Sequence, residues 1–133
     1  MAAMTRNWTV GVDAGGTWLR VLAADGRGHR LLMRRRASHD LPAAIGAVWR
    51  RWRLARADVS HLVVATRGVW SASERRAAAA RLRGLARRVT VLSDAEAAHL
   101  GALGGRPGLV VLAGTGSIVL GRGAHGRWVR AGG

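Results

Sequence analysis

The first third of the chain alternates between apolar and polar positions in three short runs. These runs cover Trp8–Val12, Thr17–Ala24 and His29–Met33. Alternation with a period of two is typical of strands that bury one face. Gly15 and Gly16 separate the first two runs, and an Asp-Gly turn separates the second from the third. The pattern therefore predicts an opening antiparallel meander of three strands.

The rest of the chain alternates between helical and strand patterns. Apolar residues recur at helical spacing over Asp40–Ala55, and the short apolar run His61–Thr66 predicts a strand that is buried on both faces. A capping box at Ser71 opens a helix that is predicted to reach Arg88. We further predict strands at Val89–Leu92, Leu109–Ala113 and Ser117–Gly121, a helix at Ser93–Leu103 that starts with a second capping box, and a last strand from Gly126. This order predicts an α/β fold with a mixed sheet, right-handed crossovers and helices on its faces.

Composition narrows the class of protein. A chain of 133 residues with 49% hydrophobic content has room for one domain with a real core, and for part of another. The absence of cysteine excludes a disulfide framework, a thiolate metal site and a cysteine nucleophile. The N-terminus has no signal-peptide run, and the longest aliphatic run, Leu109–Ala113, is too short to span a bilayer. We therefore expect a cytoplasmic protein with no membrane partner.

The formal net charge of +15 suggests a nucleic-acid partner. However, all 22 basic residues are arginines spread along the whole chain, which indicates a bias of composition rather than a selected patch. The chain also has no tyrosine or phenylalanine to stack on bases. We therefore do not expect nucleic-acid binding as the main function.

Two glycine bends, each between two predicted strands, are the strongest candidates for chemistry. Gly15 and Gly16 form the first bend, and Gly114 and Gly116 flank the second. Glycines can adopt positive φ and offer bare backbone N–H groups to an anion, and Asp13 is placed to hold an accompanying cation. An ordinary β-hairpin uses paired glycines in the same way, so both interpretations stay open. A Walker A loop is excluded because the chain has no lysine.

Three motifs together resemble those of the sugar kinase, Hsp70 and actin superfamily of ATPases. Residues 11–17 resemble its first phosphate motif, Ser93–Ala98 the strand-to-helix acid of its kinase members, and Ala113–Ser117 its second phosphate motif. Within the superfamily, the chain is most similar to the BadF/BadG/BcrA/BcrD ATPase family, which includes N-acetylglucosamine kinase-like proteins. This resemblance implies an actin-like ATPase (ribonuclease H-like) N-terminal lobe over residues 1–104. The opening β-hairpin of a truncated second lobe would follow over residues 105–133.

The resemblance also implies ATP and Mg²⁺ as cofactors and a role for each motif residue. Asp13 would orient the Mg²⁺ through water, and Asp94 would accept the proton of the attacking hydroxyl of a small sugar. The phosphates would lie between Gly15, Gly16 and Thr17 on one side and Gly114, Thr115, Gly116 and Ser117 on the other. Residues 65–68 would lie near the sugar pocket. An acid in the first turn of a helix is also stabilised by the helix dipole alone, and that alternative stays open for Asp94.

The function that the resemblance implies is an ATP-binding phosphotransferase of the amino-sugar kinase type. The lack of cysteine argues against the family branch of dehydratase- and reductase-activating ATPases, which hold a cysteine-ligated cluster between subunits. The family's adenosine-binding motif lies beyond residue 133, so we expect a fragment that is inactive alone. Its partner would be a second copy in a homodimer or a complementing second-lobe chain. The alternative is a non-catalytic sugar- or nucleotide-sensing domain on the same fold.

Overall fold

The computed structural model describes residues 6–114 and 116–133, which form two compact units. The first unit ends at Leu92 and the second is Ser93–Gly133. The described strands are β1 (Trp8–Ala14), β2 (Trp18–Ala24), β3 (Arg30–Arg36), β4 (Val59–Thr66), β5 (Arg88–Ser93), β6 (Gly108–Ala113), β7 (Ser117–Arg122) and β8 (Trp128–Gly132). The helices are α1 (Leu41–Trp52), α2 (Ala72–Leu82) and α3 (Asp94–Leu103), with 3₁₀ turns at Arg56–Asp58 and Arg83–Leu85. The predicted lobe boundary after residue 104 stays a prediction.

The first unit is built on a five-stranded mixed sheet with the order β3-β2-β1-β4-β5. The predicted meander is confirmed, because β2 pairs antiparallel with both β1 and β3. β4 pairs parallel with β1, with Val10 opposite Leu62 and Val12 opposite Val64. Parallel pairing requires a crossover connection, and α1 lies in it. The predicted mixed α/β fold is therefore confirmed.

The core of the first unit covers one face of this sheet. In β1, Trp8, Val10 and Val12 are buried while Thr9 and Gly11 are exposed, as the period of two predicts. Helix α1 also buries one side, which consists of Ala44, Ile45, Val48 and Trp49. The indole Nε1 of Trp49 donates a 2.7 Å hydrogen bond to the carbonyl oxygen of Leu85. Trp49 is thus a core residue, as its helical spacing predicted.

The prediction that the second helix reaches Arg88 is wrong. α2 ends at Leu82, and a 3₁₀ turn at Arg83–Leu85 follows it. Gly84 is a poor helix former, and the carbonyl of Leu85 accepts from the side chain of Trp49 instead of from a following helical turn. The next residues already join the sheet, since the Arg87 N–H donates to the carbonyl of Val59. Tertiary contacts therefore stop the helix two turns early.

The second unit consists of α3 and a three-stranded antiparallel sheet with the order β6-β7-β8. Its core includes Leu120, which is 2% exposed, and His99, which is fully buried. The His99 ring meets the Trp128 ring edge to face, with centroids 4.9 Å apart. The prediction that a strand begins near Gly126 is confirmed by β8.

None of the helices in the described part of the chain combines the length and the hydrophobicity that a bilayer crossing requires.

Candidate functional site

The first glycine bend joins β1 to β2 and is closed by a hydrogen bond of 3.0 Å from Gly15 N to Trp18 O. Neither Gly15 nor Gly16 has a positive φ. The positive φ that glycine permits is therefore not used at either position, and at Gly15 the lack of space for a side chain favours glycine. A Cβ on Gly15 would lie 3.1 Å from the Trp18 carbonyl oxygen, and one on Gly16 would lie 3.5 Å from the Arg67 guanidinium. Gly16 and Thr17 are exposed, so their backbone is accessible to a ligand.

Asp13 lies at the end of β1, directly opposite Arg20 of β2. Its Oδ2 accepts from Arg20 Nη1 at 2.9 Å, and its side chain is 48% exposed. Such a surface ion pair contributes little to the stability of the fold. The other carboxylate oxygen of Asp13, Oδ1, has no hydrogen-bond donor among the described residues. The described residues contain no group of three or more acidic or histidine side chains that could hold a metal ion. A single accessible carboxylate fits an Mg²⁺ that keeps several of its waters, and not a metal held by protein ligands alone.

A cavity of about 390 Å³ opens beside the first bend, at the carboxyl ends of β1 and β4. The Ala37 N–H donates to the Thr17 carbonyl at 3.0 Å, which brings the loop after β3 to the bend. The apolar lining residues are Ala14, Leu41, Pro42, Val64, Val69, Ala78, Leu82 and Val91, and the others are Gly15, Gly16, Ser38, His39, Thr66, Arg67 and Arg81. Of the segment that was expected near a sugar pocket, Thr66 and Arg67 line this cavity.

Asp94 is the first residue of α3 and is exposed. Its Oδ1 accepts from the Ala95 N–H at 2.8 Å. Capping of the helix is carried out by other residues, because Ser93 Oγ accepts from Glu96 N and Glu96 Oε2 accepts from both Ser93 N and Ser93 Oγ. Glu96 is only 4% exposed. The two acids of this turn therefore differ, with Glu96 committed to the cap and Asp94 facing solvent.

The second glycine bend joins β6 to β7 and is closed by a hydrogen bond of 2.9 Å from Gly114 N to Gly116 O. Gly114, Gly116 and Ser117 are all exposed. Thr115, which the sequence also placed at a phosphate, lies outside the described residues. The sequence-predicted residues thus lie at the β1–β2 bend of the first unit and, in the second unit, at the start of α3 and at the β6–β7 bend.

Three cavity residues carry no signal in the sequence. Ser38 and His39 come from the loop after β3, and Arg81 comes from the last turn of α2. None of them belongs to a motif, and they are separated by about forty positions along the chain. Only the packing of the helices against the sheet shows that they share a cavity with the glycine bend.

No protein-family model matches the chain, and no curated protein matches it either. Solved structures do match it. A Chromobacterium violaceum protein assigned as an N-acetylglucosamine kinase superposes with a TM-score of 0.68 and 26% identity over 97% of this chain and 50% of its own. The MamK double helical filament gives a TM-score of 0.62 with 12% identity over 95% and 54% of the two chains. A Cytophaga hutchinsonii protein assigned as a sugar kinase gives 0.56 with 15% identity over 84% and 47%.

These likenesses show that the chain has the actin-like ATPase fold, as the motifs predicted. The chain spans about half the length of each of these three proteins. Membership of the BadF/BadG/BcrA/BcrD family and the role of each motif residue stay predictions.

Proposed function

We propose that this chain is the phosphate-binding part of an ATP-dependent phosphotransferase that acts on a small sugar of the amino-sugar type. The observation that carries the proposal is the cavity of about 390 Å³ whose wall includes Gly15 and Gly16, the glycines of the first phosphate motif. A nucleotide phosphate at the bend and an acceptor in the cavity would then be neighbours. The likeness to a protein assigned as an N-acetylglucosamine kinase, at 26% identity, supports the same choice.

The residues of the first bend suit a magnesium-bound triphosphate. The exposed backbone of Gly16 and Thr17 leaves room for phosphate oxygens, and the Arg67 guanidinium adds a positive charge nearby. Asp13 would hold Mg²⁺ through water, using the carboxylate oxygen that Arg20 does not contact. When bound, the metal neutralises charge on the phosphate oxygens of ATP. We further propose Gly114, Thr115, Gly116 and Ser117 as a second set of phosphate contacts.

Phosphoryl transfer requires little covalent chemistry from the protein. A hydroxyl oxygen of the acceptor forms a bond to the γ-phosphorus while the bond from that phosphorus to the β–γ bridging oxygen breaks. ADP leaves with the electron pair of the broken bond. We assign the acceptance of the hydroxyl proton to Asp94, whose exposed carboxylate is not needed for the α3 cap. Positioning of the two substrates supplies most of the rate.

The test begins with binding of Mg-ATP to the 133-residue chain by isothermal titration. We expect weak binding that Gly16→Val lowers by about tenfold or more, because the new side chain would occupy the space at the bend where we propose that the phosphate oxygens bind. Gly26→Val is the matched control, since a Cβ at Gly26, in the β2–β3 turn, would meet nothing within 4 Å. Equal affinity of the two variants, or no binding by the wild-type chain, contradicts the proposal.

A coupled kinase assay then separates an enzyme from a sensor. We propose that the chain alone does not turn over, and that turnover requires a second copy or a complementing second-lobe chain. In the complemented system, Asp94→Asn should abolish turnover while leaving the affinity for Mg-ATP unchanged. A variant that keeps full turnover would remove Asp94 from the mechanism. Ligand binding without turnover in every complemented system would favour the sensing alternative.

A further inference from the structure

One face of the strands β2 and β3 carries four arginines and a tryptophan. In the register of the two strands, Trp18 lies opposite Arg36 and Arg20 lies opposite Arg34. Residues in directly opposite positions, and residues two apart along one strand, lie on the same face of a sheet. The buried residues of β2 alternate with these positions, so the arginines lie on the exposed face. We call this set the arginine face, and its members are Trp18, Arg20, Arg30, Arg34 and Arg36.

The arginine face has an excess of positive charge. Asp13 is the only acid in the described strands β1, β2 and β3, and its carboxylate pairs with Arg20 at 2.9 Å. In the turn between β2 and β3, Asp25 pairs with His29. Arg20 and Arg34 lie directly opposite each other, and like charges in that arrangement destabilise a sheet. A bound polyanion would offset this repulsion.

Trp18 contacts two of these arginines. The guanidinium carbon of Arg34 lies 3.8 Å from the centroid of the Trp18 ring, and that of Arg36 lies 4.5 Å from it. Guanidinium groups stack on nucleic-acid bases and also form paired hydrogen bonds with phosphates. The two exposed arginines can therefore contact both parts of a nucleotide. A positive surface that combines arginine with an aromatic side chain is typical of proteins that bind single strands.

The centre of the same face is open and apolar. Leu22 and Leu32 lie opposite each other and are 47% and 76% exposed. Gly11 of β1 lies opposite Leu22 and is exposed, and a Cβ at this position would meet nothing within 4 Å. Gly11 also has no positive φ, so neither crowding by the described residues nor backbone conformation requires a glycine there. A glycine inside a strand often marks a place where a ligand approaches the backbone closely.

We infer that the arginine face binds a single-stranded nucleic acid. The arginines contact the phosphates, and unpaired bases stack on Arg34 and Arg36 and lie against Leu22 and Leu32. In a duplex the bases are stacked inside, so the two leucines would have no base to contact. This activity goes beyond the proposed function and does not depend on it. The arginines are spread over residues 20–36 of the sequence, and only the strand register brings them to one face.

The test is the fluorescence anisotropy of a labelled single-stranded DNA of about 20 nucleotides, titrated with the full chain at several salt concentrations. We expect a log–log slope of affinity against salt of about −2 to −3, because each phosphate contact on a single strand contributes about −0.7. Arg34→Gln combined with Arg36→Gln should lower the affinity by about tenfold or more and should make the slope shallower by about 1.4.

The matched control is Arg51→Gln combined with Arg76→Gln. It removes the same charge from exposed positions of α1 and α2 and should change the affinity by less than about twofold. An equal loss of affinity in the two double variants would overturn the inference, because the binding would then depend on net charge alone. Far-UV circular dichroism of each variant verifies that it is folded.

Trp18→Leu separates stacking from charge. It should lower the affinity by about fivefold or more while leaving the salt slope unchanged, because no cation is lost. A folded variant with unchanged affinity would overturn the inference. If Trp18→Leu does not fold, the two double variants decide alone.

Competitors distinguish a single strand from other polyanions. Duplex DNA of the same sequence, polyglutamate and vesicles that contain phosphatidylserine should each bind more weakly than the single strand. Equal or tighter binding of any of the three overturns the inference. So does the absence of binding to the single strand at about 50 mM salt, where contacts with phosphates are strong.

Discussion

The two units contain the same local motif, a strand, a glycine bend and a strand, in different surroundings. In the first unit, β1 lies between β2 and the parallel β4, and Val10 and Val12 are buried under helices. In the second unit, β6 is an edge strand, and its Leu109 and Val111 are 70% and 66% exposed. A glycine bend is therefore recognisable from sequence in both places, but how firmly it is held depends on the layers around it.

The exposed apolar residues of the second unit form one surface. Leu109 and Val129 both pair with Gly121, and Val111 pairs with Val119, so these residues lie on the same face of the sheet. Val129 is 57% exposed. The opposite face carries Leu120, which is buried. The second unit thus has a core on one side of its sheet only, whereas its other side is an apolar surface of the kind that promotes association.

The largest effect should come from removing a core side chain in the first unit. Leu62→Ala empties a fully buried position in β4, between β1 and β5, and should lower the free energy of unfolding by about 2–5 kcal/mol. Leu120→Ala should cost less, near the lower end of that range, because fewer layers surround Leu120. Urea denaturation followed by fluorescence of the tryptophans measures both. A larger loss for Leu120→Ala would contradict the comparison.

The two capping boxes have the same sequence pattern but different burial. Ser71 and Glu74 are exposed, whereas Ser93 and Glu96 are 0% and 4% exposed. Ser71→Ala should cost about 1 kcal/mol, the usual price of a lost N-cap. Ser93→Ala should cost about 2 kcal/mol, because it also removes a donor to a buried carboxylate.

Thermal and urea denaturation of both alanine variants test this difference. Ser93→Thr is the control, since it keeps the hydroxyl and should recover most of the lost stability. Equal losses for the two alanine variants would show that burial of the second box adds nothing.

The glycines of the two bends should respond differently to alanine. Gly15→Ala places a Cβ 3.1 Å from the Trp18 carbonyl oxygen and should cost about 1–2 kcal/mol, because backbone must shift. A Cβ at Gly116 would meet nothing within 4 Å, so the effect of Gly116→Ala on stability should be close to neutral. Denaturation curves of the two variants decide this. Destabilisation by Gly116→Ala would mean that the second bend is as constrained as the first.

The exposed apolar face should affect association and not folding. Replacing Leu109 and Val111 by threonine places β-branched side chains, which suit a strand, at both positions and should change the free energy of unfolding by no more than about 0.5 kcal/mol. Self-association, measured by light scattering after size exclusion, should decrease. The same substitution at Leu32, which is 76% exposed in the first unit, is the control. Equal loss of association in the control would remove the distinction between the two units.

The smallest effect is a pH dependence that arises in the first unit. Burial lowers the pKa of His61, and the nearby Arg88 guanidinium lowers that pKa further. The unfolded chain therefore binds the His61 proton more readily than the folded chain does. Stability should be constant above the unfolded pKa of 6.5 and should decline as the pH falls below it.

Melting temperatures at neutral and mildly acidic pH measure this decline. His61→Gln should flatten it, while His125→Gln, in the second unit, should not. A decline that is unchanged in His61→Gln would assign it to another group.

Patterns that extend over a few residues were sufficient to predict most of the strands and helices. The alternation of Val10 and Val12 predicted β1, the spacing of Ile45 and Trp49 predicted α1, and the Ser93 capping box predicted the start of α3. The order of these elements predicted the mixed sheet, and the resemblance of three motifs to a known superfamily implied the actin-like fold that the solved structures show. Each of these signals lies within one element or between neighbours, so a reading of the chain can detect it.

Contacts between residues that are far apart in the sequence could not be predicted from these local patterns. The end of α2 depends on Trp49, whose indole N–H donates a hydrogen bond to the carbonyl of Leu85, 36 positions further along the chain. The need for glycine at position 15 comes from a steric contact with the Trp18 carbonyl and not from a turn conformation. The meeting of Arg81 with the glycine bend depends on how α2 packs on the sheet. Periodicity and capping report on about four residues at a time, whereas a cavity and its charge are created by side chains that only folding brings together.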